Sequence, residues 1–261
     1  MLTSFYSVPR ITPRFWPVVL RNLLVWRKLA VPSIVGNIAE PLITLVAFGY
    51  GLGSLVGAIG GLPYVEFLAS GSVTASAALA ATFEALYSAY SRMAVQKTWD
   101  GILNAPVGLD DIVFAEMLWA ALKALFSVAA ILAVIFLLDI SRAPSMILAL
   151  PVLGLVGVTF ASLALVFNAL AKGYDFFTYY FTLVITPMTF LSGVYFPMEQ
   201  MPPWLQTVGR VLPLAAAVEI VRPLVLGEAP VHTLRPLLVL LAYASAGYYL
   251  ALVLTRRRFF R

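Results

Sequence analysis

Few side chains in this 261-residue sequence are placed to do chemistry, and most of those are charges embedded in apolar runs. Glu84 and Lys123 each lie a few helical turns inside such a run, and Glu116 precedes Lys123 by about two turns. Charges in apolar surroundings are costly and face either protein or a water-filled cavity. Glu84 and Lys123 stand at similar depths on either side of one polar connection, so they can form a structural ion pair. The ion pair is the favoured reading, with substrate contact or proton relay as the alternative. Glu116 falls nearly on the helix face of Lys123, roughly 10 Å away along the axis. Glu40 and Glu66 lie near the ends of their runs, where interfacial water can solvate them.

Catalytic signatures are absent. No G-x-x-x-x-G-K-[ST] loop is present to cradle nucleotide phosphates, and no H-E-x-x-H can exist with His232 as the only histidine. G-x-S-x-G is missing, and without cysteine there are no thiolate metal sites or disulfides. The glycine-rich Gly49-Tyr-Gly-Leu-Gly53 lies in an apolar run with no strand before it. Gly49, Gly53 and Gly57 recur at four-residue spacing, which suits close helix approach better than nucleotide binding.

One polar segment, 92–111, combines Lys97, Trp99, Asp100, Ile102, Leu103 and Pro106. A short helix with an apolar ridge and a charged rim suits docking into a groove on a partner; a solvated loop is the plainer alternative. Aromatic residues cluster at 176–181, where Phe176, Phe177, Tyr179, Tyr180 and Phe181 could line a path or sit at an interface.

The elements that carry these residues follow from composition. Hydrophobic residues make up 62% of the chain and charged ones 11%, with mean hydropathy +0.95. A soluble domain carries about 25% charged residues, so the bilayer is the matching solvent. A span needs roughly 20 apolar residues, and six runs qualify: 34–56, 65–89, 113–138, 145–170, 176–196 and 235–254. Residues 12–32 carry Arg14, Arg21, Arg27 and Lys28 among apolar residues and tryptophans; this predicts an interfacial amphipathic helix rather than a span. The mixed stretch 197–233 contains a 12-residue apolar run, AAAVEIVRPLVL, too short to cross and predicted to dip into the outer leaflet and return. Residues 1–15 lack the apolar core of a cleavable leader.

Lys and Arg set the orientation. With the N-terminus inside, residues 1–33, 90–112 and 171–175 and the C-terminal tail hold 12 of them, against four on the other side: Arg142, Arg210, Arg222 and Arg235. The bias places both termini in the cytoplasm, as six spans require. The net charge of +5 follows from these flanks and does not imply nucleic acid.

Three stretches resemble a known family. They are EPLITLVAFGYGLG (40–53), LNAPVGLDDIVFAEMLWAALKA (103–124) and LSGVYFPMEQMPPWLQTVGRVLPLAAAVEIVRPLVLG (191–227). Together they resemble the ABC-2 type permeases, within them the NodJ-like lipo-oligosaccharide exporters, over nearly the whole chain. The S-G-x-x-F-P followed by M-P-x-W-L is the most specific part. The resemblance implies an all-α integral membrane protein forming a single domain over 1–261, with six spans, an N-terminal connecting helix and paired short helices before the last span.

It further implies a cytoplasmic coupling helix, here about 95–106, that inserts into a separate ATPase subunit. ATP and magnesium would be bound by that partner, leaving this chain with no cofactor and no enzymatic role. Two permeases and two ATPases form the working unit in a bacterial inner membrane, with spans one and five near the two-fold axis. Gly49, Gly53 and Gly57 would suit that interface, and Glu84, Lys123, Phe177 and Tyr180 the path of an amphiphilic substrate. The rivals are an ion-coupled secondary carrier, which needs sites at broken helices, and an intramembrane lipid-modifying enzyme, which needs convergent acid, base or metal ligands.

Overall fold

A computed structural model describes residues 5–260, so the tail residue Arg261 lies outside the described residues. Among the described residues the only strands are the two-residue pair β1 (Ala58–Ile59) and β2 (Leu62–Pro63), a tight antiparallel turn. Everything else of regular structure is helical, because an apolar chain in hydrocarbon must satisfy its backbone internally.

Helix α1 (Phe15–Arg27) buries Val18, Val19 and Asn22 and leaves Trp16, Leu20, Leu24 and Val25 outside. Its N-terminal approach is tied down: the Thr12 backbone N–H and hydroxyl both donate to Asp111, at 2.6 and 2.9 Å. Helix α2 runs Ala30–Val56 with π-helical turns at Leu45–Leu52. Only 6% of its apolar window is covered by the rest of the chain. Gly57, at φ +72°, ends it in a conformation that side chains with a Cβ rarely adopt.

Helix α3 (Tyr64–Val95) is the most enclosed of the long helices, its window 72% buried. Its turn after Pro63 presents Ala69, Ser70, Gly71, Ala77, Ala78 and Ala81 to its neighbours, small residues that permit close packing where no water drives helices together. Short helix α4 (Thr98–Leu103) follows Lys97, which turns the chain through a left-handed conformation at φ 51°. Helix α5 (Leu109–Leu137) begins where the Asp111 carboxylate accepts the Gly108 N–H. Helix α6 (Met146–Leu170) packs along α10 (Leu234–Phe259) more extensively than any other pair, and α3, α5 and α6 form the centre of the core.

Helix α7 covers 175–191, α8 Pro203–Gly209 and α9 Pro213–Leu226. Helix α9 lies against the N-terminal part of α3. Arg222 donates to the Ser70 hydroxyl (3.1 Å) and the Gly193 carbonyl (2.6 Å) and covers the Phe67 ring at 3.8 Å. Its last carbonyls, free by helix geometry, accept the Ser145 and Ser141 hydroxyls.

Among the described residues five helices are long and apolar enough to cross a membrane: α2, α3, α5, α6 and α10. Each matches an expected span within a few residues, except that α3 continues to Val95, beyond the expected end at 89. The remaining expected span, 176–196, is present as α7 but ends at Leu191, where Ser192 and Gly193 break it. At 1.5 Å per residue it is about 25 Å long, short of the roughly 30 Å hydrocarbon core.

Gly71 shows how tightly the end of α3 is packed. A Cβ built there would stand 2.6 Å from the Val194 carbonyl oxygen, while one at Gly36 would meet nothing within 4 Å. Gly71→Val should therefore destabilise the purified chain by about 1–3 kcal/mol, the usual cost of overpacking. Gly36→Ala should not lower stability. Detergent-matched thermal unfolding distinguishes them, and equal Tm values would show that the Gly71 contact is not tight.

Candidate functional site

The charges singled out from sequence converge at one end of the bundle. Lys123 donates to Glu84 at 2.7 Å. Arg92 joins the pair: its guanidinium reaches Glu84 at 2.9 Å and Glu116 at 2.5 Å, the latter as a fork with a second bond of 3.0 Å. Two indoles complete the set, Trp119 donating to Glu84 (2.9 Å) and Trp99 to Glu116 (3.1 Å). Two carboxylates and two cations balance. Glu84 and Glu116 are buried, and their oxygens are occupied by donors from α3, α4 and α5. Such a network is tolerated in an apolar core only when each member is satisfied.

Local helix geometry makes the convergence possible. Glu84 and Arg92 are eight residues apart, which an ideal α-helix would place about 80° apart around its axis. The path between them contains π-helical turns at Glu84–Ser88 and Ser91–Val95. These wider turns unwind the helix so that both side chains face α5. Arg92 was assigned from sequence to the polar connection; the structure moves it inside α3 and makes it the hub. The signal was available: an arginine two turns beyond an intramembrane glutamate, followed by Met93, Ala94 and Val95, which extend the helical run.

The docking residues of 92–111 divide. Lys97, Asp100 and Pro106 are exposed, and Ile102 and Leu103 are half-buried with their apolar faces against the core. Trp99 contradicts the expectation of an exposed ridge: it is 1% exposed, stacks near Phe259 at 6.0 Å and holds Glu116. Its indole N–H explains the reversal, because a buried carboxylate nearby offers an acceptor that water at the surface would only match. α4 is therefore pinned from beneath, with its polar rim outward.

The glycine series divides: Gly49 and Gly53 face the chain's own α3, whereas Gly57 is exposed and a Cβ there would meet nothing within 4 Å. A Cβ at Gly49 would meet Val65 Cγ2 at 2.9 Å, and one at Gly53 would lie 3.7 Å from Tyr64. Both neighbours belong to α3 of the same chain, so Gly49 and Gly53 fit α2 against α3. Phe177 and Tyr180 are likewise core residues, 0% and 1% exposed. Phe177 packs edge-on against Tyr87 and Tyr90, and Tyr180 lies 4.2 Å from the Phe167 ring. The outward face of α7 carries Tyr179, Leu183 and Phe190.

The basic residues of α1, Arg92, Lys97 and the α10 tail gather at the same end. Arg256 forks onto Asp110 (2.5 and 3.0 Å) and donates to the Ser7 carbonyl at 2.7 Å. Arg258 donates to three carbonyls at the end of α6 and just beyond it, Asn168, Ala169 and Ala171. This end is tied across the chain from residue 5 to residue 258.

Comparison with known proteins adds an independent finding. The family described as ABC-2 type transporter matches residues 13–226. The chain is 45% identical to nodulation protein J of Rhizobium meliloti (strain 1021) over 91% of each chain. It is 41% identical to nodulation protein J of Sinorhizobium fredii (strain NBRC 101917 / NGR234) over 99% of each. It is 24% identical to the inner membrane transport permease YadH of Escherichia coli (strain K12) over 91% of each.

The network has a measurable hierarchy. Arg92→Met removes the only cation bonded to Glu116 among the described residues, and stranding a buried charge costs about 3–5 kcal/mol. Lys123→Met leaves Glu84 still held by Arg92 and Trp119, and Lys123 is the more exposed cation, with 20% of its side chain accessible. Arg92→Met should therefore lower Tm clearly more than Lys123→Met. The reverse order would show that Lys123, not Arg92, is the hub.

Proposed function

The chain belongs to the ABC-2 type transporter family, and from that premise we propose that it is the membrane permease subunit of an ATP-driven exporter. Its cargo is an amphiphile, lipid-linked or saccharide-bearing, moved outward from the cytoplasm or inner leaflet. The family match over residues 13–226 carries this reading. The relatives named nodulation protein J and inner membrane transport permease support the exporter class and an inner-membrane location. ATP and magnesium belong to a separate ATPase subunit, in keeping with the missing phosphate loop.

In this reading α7 is the sixth crossing, completed by tilt or local thinning of the bilayer, and both termini are cytoplasmic, as the Lys and Arg distribution favours. Helix α1 lies in the cytoplasmic interface, while α8 and α9 dip into the outer leaflet. Helix α4 couples to the ATPase through the rim of Lys97, Asp100 and Pro106. Trp99 serves that coupling from within, since its bond to Glu116 ties α4 to α5 and, through Arg92, to α3. Closure of two ATPases would shift two such helices in a 2+2 assembly. The contact between copies would involve the exposed face of α2, with Ile43, Val46, Phe48 and Tyr50, rather than Gly49 and Gly53.

A test follows from the outward rim. Lys97→Glu with Asp100→Lys should reduce the ATPase activity that co-purifies with the full chain from its native membrane by about tenfold or more, the effect of losing ~1.4 kcal/mol. Tm of the permease should not change, because neither side chain is buried. Undiminished co-purification would refute the docking face, and substrate efflux driven by an ion gradient without ATP would refute the exporter class.

A further inference from the structure

Between α1 and the charge network lies an open cavity of about 440 Å³. Its walls include Arg21, Asn22, Trp26, Arg92, Trp119 and Lys123, with Glu84 at its base. Ser88, Ser91 and Gln96 also line it and can accept, but Glu84 is its one carboxylate. The Glu84 carboxylate is already engaged by Arg92, Lys123 and Trp119.

The donors are in surplus. Arg21 makes no ion pair among the described residues; its one side-chain bond goes to the Asn22 amide oxygen at 3.0 Å. That bond fixes the amide so that Asn22 Nδ2 is its free end. Asn22 is 3% exposed and Nδ2 has no partner. An unpaired buried donor costs about 1–3 kcal/mol, so an acceptor belongs there. Among the described residues the Lys123 ammonium bonds only Glu84, which keeps two further protons available. Three cations against Glu84, with Glu116 behind Arg92, leave the site one positive charge in excess.

Arg21 is held below its ordinary pKa by burial first and by the neighbouring Arg92 charge second, with Glu116 opposing both; a bound anion would add to that opposition. Trp26 and Trp119 flank the site with ring centroids 5.9 Å apart, an apolar frame against which a chain or glycerol moiety can lie. The exposed apolar face of α1, with Trp16, Leu20 and Leu24, continues from the cavity as a surface suited to lipid.

We propose that this cavity is a binding site for a phosphate-type oxyanion, the headgroup of an anionic lipid or free phosphate, with Arg21, Asn22 Nδ2 and Lys123 as its donors. The site is separate from the docking face of α4 and stands whether or not the chain is an exporter.

Tryptophan fluorescence reads it directly, because Trp26 and Trp119 line it. The full chain in non-ionic detergent is titrated with dihexanoyl phosphatidylglycerol, dihexanoyl phosphatidylcholine and sodium phosphate. Phosphatidylglycerol should give a saturable change that Arg21→Gln and Asn22→Ala each weaken by about fivefold or more, as expected for a lost charge-assisted or buried bond. Arg27→Gln, an exposed cation on the same helix, should bind like the unaltered chain. If phosphate reproduces the change and displaces the lipid, the free anion is the ligand; if only the lipid acts, the headgroup is. The proposal is overturned if neither binds saturably, if phosphatidylcholine binds as tightly as phosphatidylglycerol, or if Arg27→Gln weakens binding as much as Arg21→Gln. It is also overturned if Arg21→Gln binds normally. Matched Tm values confirm that the variants are folded; a lowered Tm for Asn22→Ala leaves Arg21→Gln to decide.

Discussion

Burying charge in an apolar medium is the constraint around which this protein is built. Glu84 and Glu116 are buried at 3% and 1% exposure, so cations and N–H groups of the chain must come to them. Arg92 does so from α3, Lys123 and Trp119 from α5, and Trp99 from α4. Three elements are thereby fixed in register by groups that tolerate little displacement. A charge-assisted bond is directional, whereas apolar contacts between helices in lipid can slide with small loss. The network defines one arrangement of α3, α4 and α5, and α1 completes it by packing Trp26 over Trp119.

The opposite end is built on different physics. There Gly71 and the short side chains around it on α3 admit the backbone of 192–194 to van der Waals distance, and Arg222 closes the contact with bonds to Ser70 and Gly193. Its guanidinium also lies over Phe67, so its charge is spread across a ring and two oxygens instead of meeting a carboxylate. One end is thus locked by paired charge and the other by shape. Between them α2 is held mainly along α3 and leaves Ile43, Val46, Phe48 and Tyr50 outside, a surface that only hydrocarbon or another protein can cover.

Much of this was legible in the sequence because hydropathy and helix length are one-dimensional properties. The limits of α2, α5, α6 and α10 are set by where apolar runs meet charges and turn residues. The Glu84–Lys123 pair followed from depth. What escaped was the direction in which side chains point. Arg92 looked like a loop residue because a charge normally ends an apolar run; π-helical turns carried the helix past it. Trp99 read as an exposed ridge because its acceptor, Glu116, is seventeen residues away in sequence but 3.1 Å away in space. Spacing and family resemblance suggested an interface for Gly49 and Gly53 and a path for Phe177 and Tyr180; in the structure each packs against its own chain. Small residues and aromatics serve packing within a chain as readily as between chains, and only the neighbour, Val65 or Phe167, decides which.

The reversal at Trp99 changes what α4 can do. An exposed ridge would hold a partner but transmit little, because a helix of six residues has few contacts of its own to resist being pulled. With Trp99 turned inward, α4 is fastened to Glu116, which Arg92 and Glu84 connect to the middle of α3. Lys97, in its left-handed turn, is the joint at which α4 leaves α3. A displacement of α4 must then either carry α5 with it or strand a buried carboxylate, and the second costs several kcal/mol. The short helix therefore acts as a rigid extension of the bundle, and its polar rim is the place where an external force would be felt inside the membrane.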